Sequence, residues 1–207
     1  RDYDNTAAGT ESFEKPVEAC QSVGMESWGY KKDEDYYTDR HLEASIDRYL
    51  ARDANYLLNV GPTGEGEIPA EAAAILKRIG KWKKSVNESF ADVENGNDLI
   101  QSPGILVTKR EQTVYVHLNQ PPVGNGIKLK PIVAKPRKAI LLNNGKTVDF
   151  EISLCPSDHA TQQSYLRIRN LPVEEFANSV MVLKLEFDQP LSEITTLTKN
   201  TEIELIK

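Results

Sequence analysis

Several features that define other protein classes are scarce in this chain. Its 207 residues include two cysteines, Cys20 and Cys155, which are too few for a disulfide framework and lack metal-ligand spacing. No apolar run approaches the roughly 20 residues that cross a bilayer, so no membrane insertion is expected. Lysine and arginine total 25 against 31 acidic residues, a formal net charge of −6. Without a basic cluster to neutralise phosphates, nucleic acid is not an expected partner.

The chain also lacks an initiator methionine and a signal peptide, because it begins at Arg1. We therefore expect a processed or truncated piece of a longer protein. Its length admits one large domain or two small ones, each with a core of its own.

Residues 38–86 have the pattern of an α/β unit. Thr38 is a candidate N-cap, and apolar residues follow it at helical spacing. Residues 55–60 (Asn-Tyr-Leu-Leu-Asn-Val) form a short apolar run that ends at Gly61 and predicts a strand buried on both faces. Pro69 suits the first turn of a second helix. The polar loop between strand and helix is where such folds place their sites.

The pattern changes to period two after a predicted linker at residues 91–102. Short alternating runs are bounded by turn residues, and the Asn-Asn-Gly segment at 143–145 predicts a hairpin between its two flanking runs. Regularly spaced short strands predict an antiparallel β-sandwich over residues 103–207. The predicted strands cover residues 114–118, 139–142, 148–152, 165–169 and 180–187.

No metal or cofactor site is expected. His41, His117 and His159 are scattered, and none has a carboxylate partner at metal-ligand spacing. Cys20 as a nucleophile would need an activating base, and the sequence names none. A small buried side chain is the ordinary role of such a cysteine.

Three carboxylates precede an aromatic pair near the start of the chain. Glu11, Glu14 and Glu18 lie before Trp28 and Tyr30. Glycosidases use two carboxyl groups that flank the scissile bond, one of them protonated at working pH. They also favour an aromatic platform against the sugar. Glutamates near a tryptophan are more often part of a solvated face, so composition alone is a weak signal for a glycosidase site.

Four ordered motifs resemble a known enzyme family. Residues 17–20 read Val-Glu-Ala-Cys, 27–30 read Ser-Trp-Gly-Tyr, 55–62 read Asn-Tyr-Leu-Leu-Asn-Val-Gly-Pro, and 79–82 read Ile-Gly-Lys-Trp. This set resembles the C-terminal half of an α-L-fucosidase of glycoside hydrolase family 29. The family usually has tryptophan at the position of Val17, a difference that affects packing rather than chemistry.

The resemblance implies a fold and a partner. Residues 1–90 would be the C-terminal strands and helices of a (β/α)8-like catalytic barrel, followed by the linker and the C-terminal β-sandwich. A partial barrel leaves strand edges unpaired and apolar faces bare. We therefore expect a second polypeptide that carries the N-terminal half of the barrel.

The resemblance also implies an activity. Such enzymes are retaining exo-α-L-fucosidases that remove terminal α-L-fucose from glycans through a covalent glycosyl-enzyme, without a cofactor. The Asp nucleophile would lie upstream or on a second chain. Trp28 matches the aromatic residue that contacts the fucose.

The acid/base residue is left open by the resemblance. The family's usual position falls on Ala8, which cannot transfer a proton. Glu11 is a displaced candidate and Glu18 is the other, while Glu14 or a residue outside the chain would be the remaining choices.

A non-catalytic fucose-binding or structural relic of the same fold is the alternative function. Enzymes of this family imply a secreted, periplasmic or lysosomal location.

Overall fold

The structure is a computed structural model that describes residues 12–100, 102–154 and 164–195. The first part of the chain folds as an α/β unit in which two strands pair in parallel and a helix follows each strand. The elements are β1 (Glu18–Ser22), α1 (Asp39–Leu50), β2 (Asn55–Asn59) and α2 (Ala70–Val86).

The first helix begins where its capping residue predicts. The hydroxyl of Thr38 accepts a hydrogen bond from the backbone N–H of His41 at 3.2 Å, which satisfies one of the free donors of the first turn. Leu42 and Ile46 are buried on the face that packs against α2 and the strands. Capping and apolar spacing are local signals, so this helix was predictable from its own residues.

The parallel strand pair is covered by helices on one face only. Alternation along β2 turns Tyr56 and Leu58 toward the helices, and it turns Leu57 to the opposite face. Leu57 is 45% exposed. The expectation of a strand buried on both faces is therefore not met by the described residues, because they leave Leu57 exposed on this second face of β2.

The second part of the chain is an antiparallel β-sandwich, as its period-two pattern predicts. Among the described residues, a six-stranded sheet of order β3-β4-β5-β11-β7-β8 packs against a three-stranded sheet of order β6-β10-β9. Apolar residues from both sheets form the sandwich core. The strands are β3 (Glu94–Asn95), β4 (Leu106–Arg110), β5 (Thr113–Leu118), β6 (Ile127–Leu129), β7 (Lys138–Leu141), β8 (Lys146–Thr147), β9 (Asp149–Leu154), β10 (Ser164–Arg169) and β11 (Met181–Glu186).

Two details differ from the sequence-based expectation. The turn at 143–145 joins β7 only to the short β8, and the chain then crosses to the other sheet, where β9 pairs with β10. The predicted linker at 91–102 contains β3, and its Leu99 and Ile100 are buried in the sandwich core. Leu99 and Ile100 therefore belong to the packed sandwich.

The two parts meet at a seam, which we define as the packing of α1 and α2 against the outer face of the six-stranded sheet. Tyr115 and Val182 from that sheet join the apolar cluster of the helices. The indole N–H of Trp82 on α2 donates to the carbonyl of Val180 at 2.9 Å. In the described part of the chain, neither helix combines the length and apolarity that crossing a membrane requires.

Candidate functional site

The loop between β1 and α1 folds over the C-terminal ends of both parallel strands, the edge where α/β folds place their sites. Ser22 and Asn59 end the two strands and are partners in the register. The Asn59 side-chain amide donates to the carbonyl of Trp28 at 2.8 Å and to the Ser22 hydroxyl at 3.2 Å. Two motifs that are distant in sequence, residues 27–30 and 55–62, therefore meet at one point.

Gly61 is required by the same contact. A Cβ at this position would lie 2.4 Å from the carbonyl carbon of Gly29 and 2.6 Å from the backbone nitrogen of Tyr30. Both atoms belong to backbone, which cannot move aside as a flexible side chain can. The glycine after β2 thus lets the Trp28 loop rest directly on the end of the strand.

Trp28 forms one wall of a small pocket at this edge. Its side chain is 44% exposed, and the pocket of about 30 Å³ is also lined by Gln21, Met25 and Tyr37. This volume is far smaller than a sugar ring. The described residues therefore offer an aromatic surface at an open edge rather than an enclosed site.

The inner side of the pocket is held by polar contacts to α1. The Gln21 side-chain oxygen accepts a hydrogen bond from the Tyr56 hydroxyl at 2.6 Å, and its nitrogen lies 3.1 Å from His41 Nε2. The His41 ring stacks on Tyr37 with centroids 4.5 Å apart. These contacts fix the strand, the loop and the first turn of α1 relative to one another.

Glu18, one of the glutamates predicted as the acid/base, is not brought to Trp28. Glu18 is exposed at the first residue of β1, so it lies at the opposite end of the strand from the Trp28 loop. Glu18 and Ser22 are four residue steps apart along the strand, a distance of about 13 Å. Glu14 is also exposed. Glu11 lies outside the described residues.

Sequence reasoning missed two residues of this edge. The sequence analysis includes Asn59 in an apolar run and in a family motif but gives it no role, and it does not single out Glu34, whose carboxylate accepts from the Glu26 N–H in this loop. An asparagine at the end of a buried strand is the signal that could have identified Asn59, since it needs polar partners there. Glu34 gives no comparable signal. Across the described ranges, no group of His, Cys, Asp and Glu is arranged to hold a metal ion.

A second polar cluster lies at the seam, and solvent does not reach it. His117 Nδ1 lies 2.6 Å from Asp47 Oδ1, with both side chains 0% exposed. His117 Nε2 lies 3.1 Å from the Thr108 hydroxyl, and the Asn119 amide donates to Asp47 Oδ2 at 2.8 Å. This chain of an acid, an imidazole and a hydroxyl resembles a catalytic relay. Because the cluster is buried, a substrate cannot reach it, and we assign it a structural role.

Arg40 and Glu43 clamp the edge of the sandwich from one face of α1. The Arg40 guanidinium donates to the carbonyls of Leu118, Asn119 and Ser179 at 2.6–3.1 Å. One Glu43 oxygen accepts from the Ser179 hydroxyl and from the Val180 N–H, both at 2.7 Å. Burial raises the pKa of Glu43 to about 7, although these two hydrogen bonds and Arg40 act in the opposite direction.

Comparison with known proteins relates the first part of the chain to α-L-fucosidases. The α-L-fucosidase family model matches residues 2–88. Tissue α-L-fucosidase from Bos taurus is 28% identical over 144 residues, which cover 68% of this chain and 30% of the relative. Plasma α-L-fucosidase from Homo sapiens is 26% identical over 165 residues, covering 75% of this chain and 35% of the relative. The chain thus spans about a third of the length of these curated relatives.

Solved structures extend the likeness across both parts of the chain. Alpha-L-fucosidase isoenzyme 1 from Paenibacillus thiaminolyticus superposes with a TM-score of 0.67 at 25% identity, covering 84% of this chain and 40% of that one. The α-L-fucosidase from Vibrio sp. strain EJY3 shares the fold with a TM-score of 0.69 at 20% identity, covering 87% and 31%. Residues 2–88 therefore resemble the α-L-fucosidase family in sequence, and both parts of the chain share their fold with solved α-L-fucosidases.

Proposed function

We propose that this chain forms one wall of the active site of a retaining exo-α-L-fucosidase, with Trp28 contacting the fucose. The observation that carries the proposal is the meeting of the Trp28 loop with Asn59 and Gly61 at the C-terminal ends of β1 and β2. The fucosidase names of the relatives support the substrate class. Terminal α-L-fucose on a glycan, or an aryl α-L-fucoside, would be the substrate.

The remainder of the barrel would complete this wall. Glu18 and Leu57 share one face of β1 and β2, and the described residues leave both exposed. Further parallel strands beside this pair would bury Leu57 and close the sheet into a (β/α)8-like barrel. We propose that those strands come from another segment of the same protein or from a second polypeptide, and that they carry the Asp nucleophile.

The chemistry requires two carboxyl groups. The nucleophile would attack the anomeric carbon to form a glycosyl-enzyme, while a carboxylic acid protonates the leaving oxygen and later activates water. In a retaining enzyme the two groups lie about 5–5.5 Å apart. Since Glu18 is at the far end of β1, Glu11 is the better acid/base candidate of the two.

Hydrolysis of α-L-fucosides by the complete protein tests the proposal. We expect an enzyme whose first product has the α-anomeric configuration, observable by NMR before mutarotation. Glu11→Gln should lower kcat by about 10²- to 10⁴-fold on a glycan substrate and by less on an aryl fucoside with a good leaving group. Glu18→Gln serves as the matched control and should retain most activity.

Two outcomes would contradict this function. Activity unaffected by Glu11→Gln would remove the acid/base assignment. A wild-type assembly that binds fucose but hydrolyses no fucoside would instead support the non-catalytic relic.

A further proposal concerns the location of the protein. Relatives named plasma fucosidases support a secreted protein, within the secreted, periplasmic or lysosomal range that the family implies.

A further inference from the structure

We infer that Glu34 is a positioning residue, which holds the Trp28 loop in the conformation that presents the indole at the candidate site. The loop has two arms, residues 23–26 and 34–37, and a tip that carries Trp28. Backbone hydrogen bonds join the arms from Tyr37 N to the Val23 carbonyl at 3.1 Å and from Met25 N to the Asp35 carbonyl at 2.8 Å.

Glu34 continues this pairing to the base of the tip. Its Oε1 accepts a hydrogen bond from the backbone N–H of Glu26 at 2.8 Å, one residue beyond the last backbone pair. Glu26 is two residues before Trp28 in the chain. A side-chain carboxylate thus replaces a backbone carbonyl at the point where the two arms separate.

The carboxyl group is also fixed by packing. A Cβ on Gly24 would lie 2.8 Å from the Glu34 carboxyl carbon, so the glycine leaves the room that this side chain occupies. Glu34 Oε2 is buried and has no hydrogen-bond partner within the described part of the chain. Glu34 lines a cavity of about 10 Å³ together with Ser22 and Gly61, and this cavity has room for about one water molecule.

A buried carboxylate oxygen without a partner is unfavourable. Glu34 therefore contributes less to the stability of the loop than a carboxylate with both oxygens hydrogen-bonded would. Glu34 lies between the two arms at the base of the tip, and the cavity that it lines extends to Gly61 at the end of β2. By contrast, the neighbouring ion pair of Lys31 with Glu26 is exposed on both sides, and such pairs hold a loop only weakly.

Hydrogen exchange of the backbone amides in the full protein tests the inference without reference to catalysis. In Glu34→Ala we expect the Glu26 amide and the amides of residues 27–30 to exchange at least about tenfold faster than in the wild type. Glu34→Gln should stay close to the wild type, because its side-chain oxygen still accepts from Glu26. Asp33→Ala, at an exposed neighbour, is the matched control. Unchanged exchange in Glu34→Ala would overturn the inference.

The kinetic readout rests on the proposed function. Glu34→Ala should lower kcat/KM for an aryl α-L-fucoside by about 10- to 100-fold, since a displaced contact costs rate. Combined with Trp28→Ala, it should cause no further loss, because both changes act through one group. Additive losses would contradict the inference.

Two further results keep the test decisive. If Glu34→Ala does not fold, Gly24→Ala displaces the same carboxyl group and should produce the same exchange pattern; unaltered exchange there would overturn the inference. If Glu34→Ala loosens the loop but the wild type hydrolyses no fucoside, the positioning role stands and the fucosidase proposal fails.

Discussion

Helix α1 separates two polar regions that differ in how their groups are satisfied. Toward the C-terminal ends of the strands, Trp28 and Tyr30 are about half exposed, and His41 is partly buried beside Gln21. Toward the sandwich, Asp47 and His117 are fully buried and bonded within the chain. A histidine is thus fully buried in the seam cluster, whereas His41 beside the pocket is only partly buried.

This difference teaches that burial, rather than residue type, separates structural from functional polar groups here. His41 and Asp47 lie on one short helix, yet the first is oriented toward the pocket residue Gln21 and the second toward the sandwich. If the comparison is right, substitutions at the seam should mainly lower stability, whereas substitutions at the open edge should mainly lower activity.

The largest stability effect is expected at the centre of the seam. Asp47→Ala would leave both His117 and the Asn119 amide without their buried acceptor, so we expect the free energy of unfolding to fall by about 3–5 kcal/mol. Urea unfolding measures this change. Asp47→Asn keeps one acceptor oxygen and should cost less. A loss below about 1 kcal/mol for Asp47→Ala would contradict the structural role of the cluster.

Glu43 should make the seam sensitive to pH. Its pKa is raised from 4.5 to about 7 by burial, so the folded state favours the protonated form. The stabilising contribution is complete below about pH 4.5 and is lost as the pH rises through about 7, by up to about 3 kcal/mol. The charged groups that act on it are Arg40, which opposes the shift, and Asp39, which adds to it.

Unfolding free energies measured from about pH 5 to pH 8 test this expectation. Glu43→Gln keeps an acceptor for Ser179 and Val180 but cannot ionise. The difference between the variant and the wild type should therefore shift in favour of the variant as the pH rises. A constant difference across the range would contradict the shifted pKa.

A smaller loss is expected where the Trp28 loop rests on β2. Gly61→Ala must displace backbone of Gly29 and Tyr30, at a cost of about 1–3 kcal/mol. Gly64→Ala is the matched control, because a Cβ there meets nothing within 4 Å. Thermal unfolding of both variants gives the comparison. Equal stability of the two would show that the close approach of loop and strand is not required.

The smallest effect is expected at the surface between the two helices. Arg78 forms paired hydrogen bonds to Asp39, but its side chain is 55% exposed. Arg78→Ala should lower the free energy of unfolding by less than about 1 kcal/mol, and salt should reduce the difference further. A loss comparable to that of Asp47→Ala would break the distinction between buried and exposed pairs.

The sequence predicted those elements whose causes are local. The Thr38 cap and helical spacing defined α1, and an apolar run followed by Gly61 defined β2. By contrast, β1 reads Glu-Ala-Cys-Gln-Ser and contains no apolar run. It forms a strand through its pairing with β2, which its own residues do not indicate. The crossing between sheets after β8 was also unpredictable, because the turn residues are the same for a simple hairpin.

The candidate site was predicted only through family motifs. They indicated Trp28 and the segment that contains Asn59, but spacing alone could not place the Asn59 amide against the Trp28 carbonyl. Nor could it show that Glu34 faces the Glu26 amide, since that contact depends on how the two loop arms pair. Composition was a poorer guide to the acid/base residue, because Glu18 lies at the N-terminal end of β1, away from the Trp28 loop.

The most direct test of the proposed fucose contact is the kcat/KM of the complete protein for an aryl α-L-fucoside with and without the Trp28 indole. Loss of the contact between a large apolar side chain and the sugar is worth about 1.5–3 kcal/mol, so Trp28→Ala should lower kcat/KM by about 10- to 100-fold. Its unfolding midpoint should stay unchanged, because the side chain is 44% exposed. Val123→Ala, at an exposed residue of the sandwich, should alter neither quantity. Wild-type kcat/KM in Trp28→Ala would contradict the account.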